Sequence, residues 1–317
     1  MRALITGVAG QDGTLLSTAL IRNGWEVFGT HLPNETLPAE HALGPDSLAH
    51  LDVTDATQVT RIVQEVSPDV VFHLAGMTSV SASIKDPELT FAVNVGGTQN
   101  LLDAVLRHAP DSLFIHAAST EIYDASSGVI SENSELAPRS PYAESKASAY
   151  QAVITARTNG LRATNAVLSN HESYLRSSDF VTGKIANGVA RIKNGLQDTL
   201  PLGNIDVEKD WSSAHDIVGG LAEIAKQGFV GDVILASGKS TSLIEIIEKA
   251  FAYVGISDWR SFVETESDLV RQGESKSIHI DPSYAAEAIN WNVTSTTDEW
   301  VGEMVQHHLN KLANQPN

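Results

Sequence analysis

The chain has 317 residues, 42% of them hydrophobic, and sets 21 Lys and Arg against 39 Asp and Glu for a formal net charge of −18. That length and apolar content exclude a disordered or fibrous chain and allow one large core or two unequal ones, while the excess negative charge opposes binding to nucleic acid or to anionic membrane surfaces. With no cysteine, disulfides, thiolate nucleophiles and zinc-thiolate sites are excluded, no metal is expected, and a reducing compartment fits.

Ala3 to Thr6 is a short apolar run that stops at Gly7, and from Thr14 to Ile21 apolar residues recur at helical spacing. The order is strand, glycine turn, helix. Glu26–Thr30, Asp69–Leu74 and Leu113–Ala117 are further β-rich runs, separated by helical stretches at Gln58–Val66 and Thr98–Arg107. Nearly continuous apolar strands alternating with helices predict an α/β fold, a doubly wound parallel sheet of Rossmann type covered on both faces. Thr164–Leu168 and Val233–Ala236 read as later strands, while Asn170–Ser213 and the stretch after Ser240 are less regular. The expected division is a dinucleotide-binding domain over 1–167 plus about 231–240, with a smaller mixed substrate lobe from about 168–230 and 241–317. No window approaches the roughly 18 continuous apolar residues of a membrane span, so a soluble, cytoplasmic protein is expected.

Gly7, Gly10 and Gly13 form G-x-x-G-x-x-G between the first strand and the first helix. At such a junction glycines allow a tight turn, a close approach of backbone N–H groups to a pyrophosphate, and packing of helix on strand. A glycine-rich turn without ligand is the alternative. After the second strand, where an acid would accept the ribose hydroxyls of NAD and an Arg would hold the 2′-phosphate of NADP, the chain has Thr30, His31, Leu32 and Pro33.

Tyr142 and Lys146 lie four apart in SPYAESK, so on a helix they share a face with Cβ atoms roughly 5–6 Å apart. A cationic Lys beside a phenol lowers the Tyr pKa and lets it exchange a proton with a sugar hydroxyl. Ser119, Thr120 and Glu121 come just after a strand, at the sheet edge where α/β proteins bind ligands. Together these residues predict an acid–base site.

More specific motifs accompany them: ITGVAGQDG at the start, Asp52 in LDVTD, HLAG at His73–Gly76, the stretch Val93–Val105, STEIY and PRSPYAESK. SNHES at Ser169–Ser173, FVTGKI at Phe180–Ile185, LGNIDVEKDW at Leu202–Trp211 and DPSYAAEAINW at Asp281–Trp291 extend them. Over nearly its whole length the chain resembles the extended short-chain dehydrogenase/reductases, and within them the GDP-mannose 4,6-dehydratases. The resemblance implies a lyase with an internal redox cycle. Ser119, Glu121, Tyr142 and Lys146 would be catalytic, with Glu121 taking the C5 proton and Tyr142 the C4 hydroxyl proton. Cofactor contacts would come from Gly7, Gly10, Gln11, Asp12, Gly13, Asp52, Leu74, Ala75, Tyr142, Lys146 and His171. Asn170, Lys184, Lys209, Arg271 and Glu274 would hold the GDP-sugar, assisted by Arg176.

Several positions depart from the family pattern. Lys209 replaces an Arg and loses its bidentate fork, and Gln272 stands for the Pro of R-P-x-E. An Arg-Arg pair after the second strand is replaced by Leu32 and Pro33, and the insertion that follows shrinks to Asn34–Ser47. The family cofactor is NADP; without that pair NAD becomes possible. Without the insertion a homodimer through two long helices is expected. Two alternatives stay open: a GDP-4-keto-6-deoxyhexose reductase or epimerase on the same fold, and a silent dinucleotide-binding module.

Overall fold

In the computed structural model, which describes residues 1–124, 128–266 and 279–314, strands and helices alternate through the first half of the chain. β1 (Arg2–Thr6), α1 (Gln11–Arg22), β2 (Glu26–His31), β3 (Leu48–His50), α2 (Ala56–Val66) and β4 (Val70–His73) come first. α3 (Val80–Lys85) and α4 (Pro87–Phe91) lead through a π-helical turn at Ala92–Gly96 into α5 (Gly97–His108) and β5 (Leu113–Ser119). After β6 (Val129–Ile130), the long α6 (Pro141–Thr158) returns the chain to β7 (Arg162–Leu168). β8 (Asn170–Glu172), α7 (Val181–Lys193), β9 (Leu200–Leu202), β10 (Glu208–Ser213), α8 (Ala214–Gln227) and β11 (Gly231–Leu235) follow. The last elements are β12 (Ser240–Ser242), α9 (Leu243–Tyr253), β13 (Val263–Thr265), β14 (His279–Ile280), α10 (Ser283–Ile289) and α11 (Thr297–Ala313).

Seven strands pair in the order β11-β7-β5-β4-β1-β2-β3, and every pairing is parallel. Strand side chains alternate between faces, so Ala3 and Ile5 pack with Leu16, Leu20, Ile217 and Leu221 on one side of the sheet. Leu4, Val71 and Phe114 pack with Val59, Leu101 and Val153 on the other. Burial on both faces is why these strands read as continuous apolar runs. α8 and α10, which the expected boundaries assign to the substrate lobe, supply Ile217, Leu221, Ala285 and Ile289 to the first of these layers. Their amphipathic spacing alone could not say which sheet or helix they cover.

A separate core joins α7, α9 and α11 through Ile185, Val189, Ile246, Phe251, Trp300 and Met304. Beside it runs a small mixed sheet, β12-β10-β8, with β8 parallel and β12 antiparallel to β10. One residue, Ser169, separates β7 from β8, so the chain passes from the large sheet to the small one directly above the sheet's C-terminal edge. No helix among the described residues is long and apolar enough to cross a membrane.

β1 neighbours both β2 and β4, which makes its C-terminal end the switch point where α/β sheets open a crevice. The turn there is dictated by glycine: Gly7 has φ +75°, and a Cβ on Gly13 would lie 2.4 Å from Gly7 O and 2.6 Å from Val8 Cα. Backbone cannot yield as a side-chain tip can. Gly13→Ala is therefore expected to lower the unfolding free energy by about 1–3 kcal/mol, measured by urea denaturation; an unchanged midpoint would show that α1 shifts freely against β1.

Candidate active site

The glycine turn closes on the second strand, with Gly7 N and Val8 N both donating to Thr30 O at 2.9 and 3.0 Å. α1 begins at Gln11, so its unpaired N–H groups and dipole face the crevice, a favourable setting for a pyrophosphate. A cleft of about 390 Å³ lies over the turn, lined by Gly7, Gly10, Gln11, Asp12, Gly13, Asp52, Leu74 and Ala75. Eight of the expected cofactor residues thus share one wall. A Cβ on Gly10 would meet only Gly7 O, at 3.4 Å, so that glycine leaves the cleft open where a diphosphate would approach, and the residues present fit a dinucleotide.

The G-Q-D-G turn is stitched to the N-H-E-S segment. Asp12 Oδ2 lies 2.9 Å from His171 Nε2, and His171 Nδ1 donates to Ser169 O at 2.6 Å. Acceptors face both ring nitrogens, an arrangement that favours the protonated ring: burial alone would lower its pKa, but Asp12 outweighs burial and raises it. Burial likewise pushes Asp12 up, and His171 together with Arg176 brings it down to about 2. Gln11 Nε2 donates to His171 O at 3.1 Å, and Ser173 Oγ donates to Gln11 Oε1 at 2.8 Å. His171 therefore reaches the cleft through Asp12 and Gln11. Arg176, expected to assist at the substrate diphosphate, lines the cleft over the glycine turn, with Nε 2.7 Å from Glu172 Oε2 and its guanidinium 4.7 Å over the Phe180 ring.

The acid–base group gathers where β5 ends and α6 begins. Ser119 closes β5 and its Oγ accepts from Glu121 N at 3.3 Å across a short 3₁₀ turn. α6 starts with Ser140 as N-cap and Pro141 in its first turn, which places Tyr142 and Lys146 on its inner face. Tyr142 N donates to Ser83 Oγ at 3.1 Å, and Lys146 Nζ donates to Ala117 O at 2.8 Å. Burial lowers Lys146 to about 8, so the side chain is still cationic at neutral pH. The phenol departs from the expected lowering: burial pushes Tyr142 up to about 12, with the neighbouring Ser119 hydroxyl working against it.

Two buried imidazoles beneath this group stay neutral. Thr6 Oγ1 accepts from Ala75 N and turns its proton to His73 Nδ1 at 2.9 Å, while His73 Nε2–H donates to Thr98 Oγ1 at 3.1 Å. Burial, His116 and Lys146 hold His73 well below its ordinary value, and burial and Lys146 bring His116 down to about 3. Asn94, in the π-helical turn, accepts from Met77 N at 2.8 Å and donates to Ser145 Oγ at 2.9 Å. Sequence reasoning gave Asn94 no role. Its only signal was a polar residue where the helical register is interrupted.

A family model described as GDP-mannose 4,6 dehydratase matches residues 4–304. The chain belongs to the GDP-mannose 4,6-dehydratase family. GDP-mannose 4,6 dehydratase 2 of Arabidopsis thaliana is 33% identical over 323 residues, which cover 97% of this chain and 86% of the plant protein. Among solved structures, UDP-glucose 4-epimerase of Thermus thermophilus in complex with NAD superposes with a TM-score of 0.84 at 25% identity, over 97% of this chain and 99% of that one. RMD from Pseudomonas aeruginosa complexed with NADPH gives 0.81 at 25% identity, over 98% and 99%.

In this member of the GDP-mannose 4,6-dehydratase family, the residues expected to hold the sugar nucleotide are more dispersed. Asn170 pairs in register with Trp211 where β8 meets β10. Lys184 lies in the first turn of α7, two residues beyond Thr182, whose hydroxyl donates to Glu172 Oε2 at 2.7 Å. Lys209 reaches out of β10 to Glu121, with Nζ 3.4 Å from Oε1. Arg271 and Glu274 lie outside the described residues.

The Asp12–His171 pair predicts a pH signature. Asp12 titrates below its unfolded value, so its share of stability is present above about pH 4 and is lost as pH falls toward 2. His171 is raised, so its share is present below about pH 6.5 and is lost as pH rises through its folded value. Asp12→Asn is expected to cost about 2 kcal/mol at pH 6 and to flatten the loss of stability between pH 4 and 2; urea unfolding at these pH values measures both.

Proposed function

We propose that this enzyme converts GDP-mannose to GDP-4-keto-6-deoxymannose, binding a nicotinamide dinucleotide over Gly7–Gly13. The observation that carries the reading is the placement of Glu121 two residues beyond Ser119 at the β5 edge, beside the Tyr142 and Lys146 face of α6. Oxidation at C4 alone needs only the Ser, Tyr and Lys; a carboxylate in the same group serves a second proton transfer.

In this reading Tyr142 takes the proton of the C4 hydroxyl, Ser119 hydrogen-bonds the C4 oxygen, and Lys146 favours the phenolate by its charge. A nicotinamide dinucleotide held over Gly7, Gly10 and Gly13 would supply reversible hydride acceptance, so that the overall conversion would consume no net oxidant. The C4 ketone makes C5–H acidic, Glu121 takes that proton and delivers it to the departing C6 hydroxyl, which leaves as water. C5 is reprotonated when C6 is reduced, and this uptake is balanced by the proton that Tyr142 took from the C4 hydroxyl, both groups exchanging protons with solvent. Lys209, fixed on Glu121 Oε1, sets the direction in which the carboxylate points. GDP is placed against the lobe of α7, α9 and α11, with Asn170 and Lys184 facing the diphosphate.

The decisive experiment is incubation of the protein with GDP-mannose followed by mass analysis, with loss of one water expected. Product formed in D₂O is expected to carry deuterium at C5. Glu121→Gln is expected to slow water loss by about 10²–10⁴-fold while GDP-mannose binding persists, and Tyr142→Phe to stop oxidation and elimination together. Full turnover in Glu121→Gln, or protium retained at C5, would remove the carboxylate from its assigned role.

A further inference from the structure

The catalytic group at β5 and α6 fixes which way a dinucleotide lies. The hydride-bearing end must reach Ser119 and Tyr142, so the adenosine lies on the opposite side of the glycine turn, over the C-terminal ends of β2 and β3. That end of the cleft is walled by Thr30, His31, Leu32, Glu35, Asp52 and Thr54. Among its described residues it carries two carboxylates and no Lys or Arg. The cation that lines the cleft, Arg176, stands instead with Glu172 and His171 beside the glycine turn.

Glu35 is held at this rim by a reciprocal closure. Leu32 N donates to Glu35 Oε2 at 2.8 Å, and Glu35 N donates to Leu32 O at 3.1 Å. Pro33 stiffens the turn between them. The segment that follows is anchored, with Leu43 buried against Val8 and Gly29 and Leu37 packed on the same core. The Leu32–Glu35 turn thus presents an exposed carboxylate at the rim of the cleft. Asp52, on the same wall, has its Oδ1 accepting from Thr54 N at 2.9 Å and from Thr54 Oγ1 at 2.7 Å.

We propose that Glu35 accepts a hydrogen bond from the 2′-hydroxyl of the adenosine ribose and so selects NAD over NADP. The proposal rests on the reading that this cleft holds the dinucleotide, and it departs from the NADP that the family resemblance implies. A ribose hydroxyl can donate to an ionised carboxylate in a strong charge-assisted bond. A 2′-phosphate has no proton pattern to match it, brings further negative charge against Glu35 and Asp52, and meets no arginine fork. Discrimination then comes from a built repulsion as well as from a contact.

Titration calorimetry of the full chain with NAD⁺ and with NADP⁺ tests this. NAD⁺ is expected to bind about tenfold more tightly or better. Glu35→Gln keeps an acceptor for Leu32 N and removes the charge, and Glu35→Ser removes both; each is expected to erase the margin by weakening NAD⁺ and relieving NADP⁺. Equal or tighter binding of NADP⁺ by the unaltered protein, or an unchanged affinity ratio in both variants, overturns the role of Glu35 alone. Binding of neither dinucleotide overturns that role together with the cofactor site on which it rests.

Discussion

The site depends on one half-buried carboxylate–imidazole contact between segments 159 residues apart, Asp12 with His171. The glycine turn belongs to the large sheet and the N-H-E-S strand to the small one, and the relative position of the two lobes decides where a sugar would lie over a nicotinamide. A neutral hydrogen bond could link them, but an imidazolium held between a carboxylate and the Ser169 carbonyl fixes orientation at both ring nitrogens. Glu172 and Arg176 add a second pair alongside, so four charges sum to zero in a chain whose net charge is −18. Buried charge is tolerated there because each member is paired and hydrogen-bonded.

The same logic explains the quiet histidines under Lys146. An uncompensated cation at this depth would be costly, and Lys146 reduces the cost by donating to Ala117 O. Its field and the apolar surroundings then deny His73 and His116 a proton. Neutral, they serve as directional struts: His73 ties β4 to β1 and α5, and His116 Nδ1–H donates to Asn165 Oδ1 at 3.0 Å, tying β5 to β7. A rigid sheet edge thus carries Lys146 beneath the inner face of α6 that also bears Tyr142.

What was legible beforehand follows from the range of each signal. The strand–glycine–helix order, the parallel sheet and the Tyr142–Lys146 face are local, set by side-chain period and by four-residue spacing, and they appear where expected. Arg176 is different, because its side of the cleft depends on how β8 leaves β7 and on Gly183, where a Cβ would lie only 2.7 Å from Arg176 O and hold α7 away from that backbone. Glu35 is illegible for a similar reason: the local pattern places an acid directly after the strand, whereas here the Leu32–Glu35 turn brings one back from four residues beyond β2. Asn94 and the covering helices α8 and α10 are defined by partners distant in sequence, which no spacing rule reaches.

Glu121 is the point at which structural and catalytic demands meet. In the resting site its charge is matched by Lys209 at 3.4 Å, and its side chain keeps 33% exposure against 12% for the lysine. The carboxylate is thus oriented by the substrate lobe while remaining open to a ligand. A lysine ammonium is a point charge on a flexible stem, without the two parallel bonds an arginine would form, so it constrains the carboxylate in distance more than in plane. In the proposed elimination Glu121 would take up a proton and lose the charge on which that contact rests, leaving the attraction of Lys209 to the nearest anion. The proposed base would thereby be coupled, through one ion pair between β10 and the end of β5, to the side of the site where a diphosphate would sit.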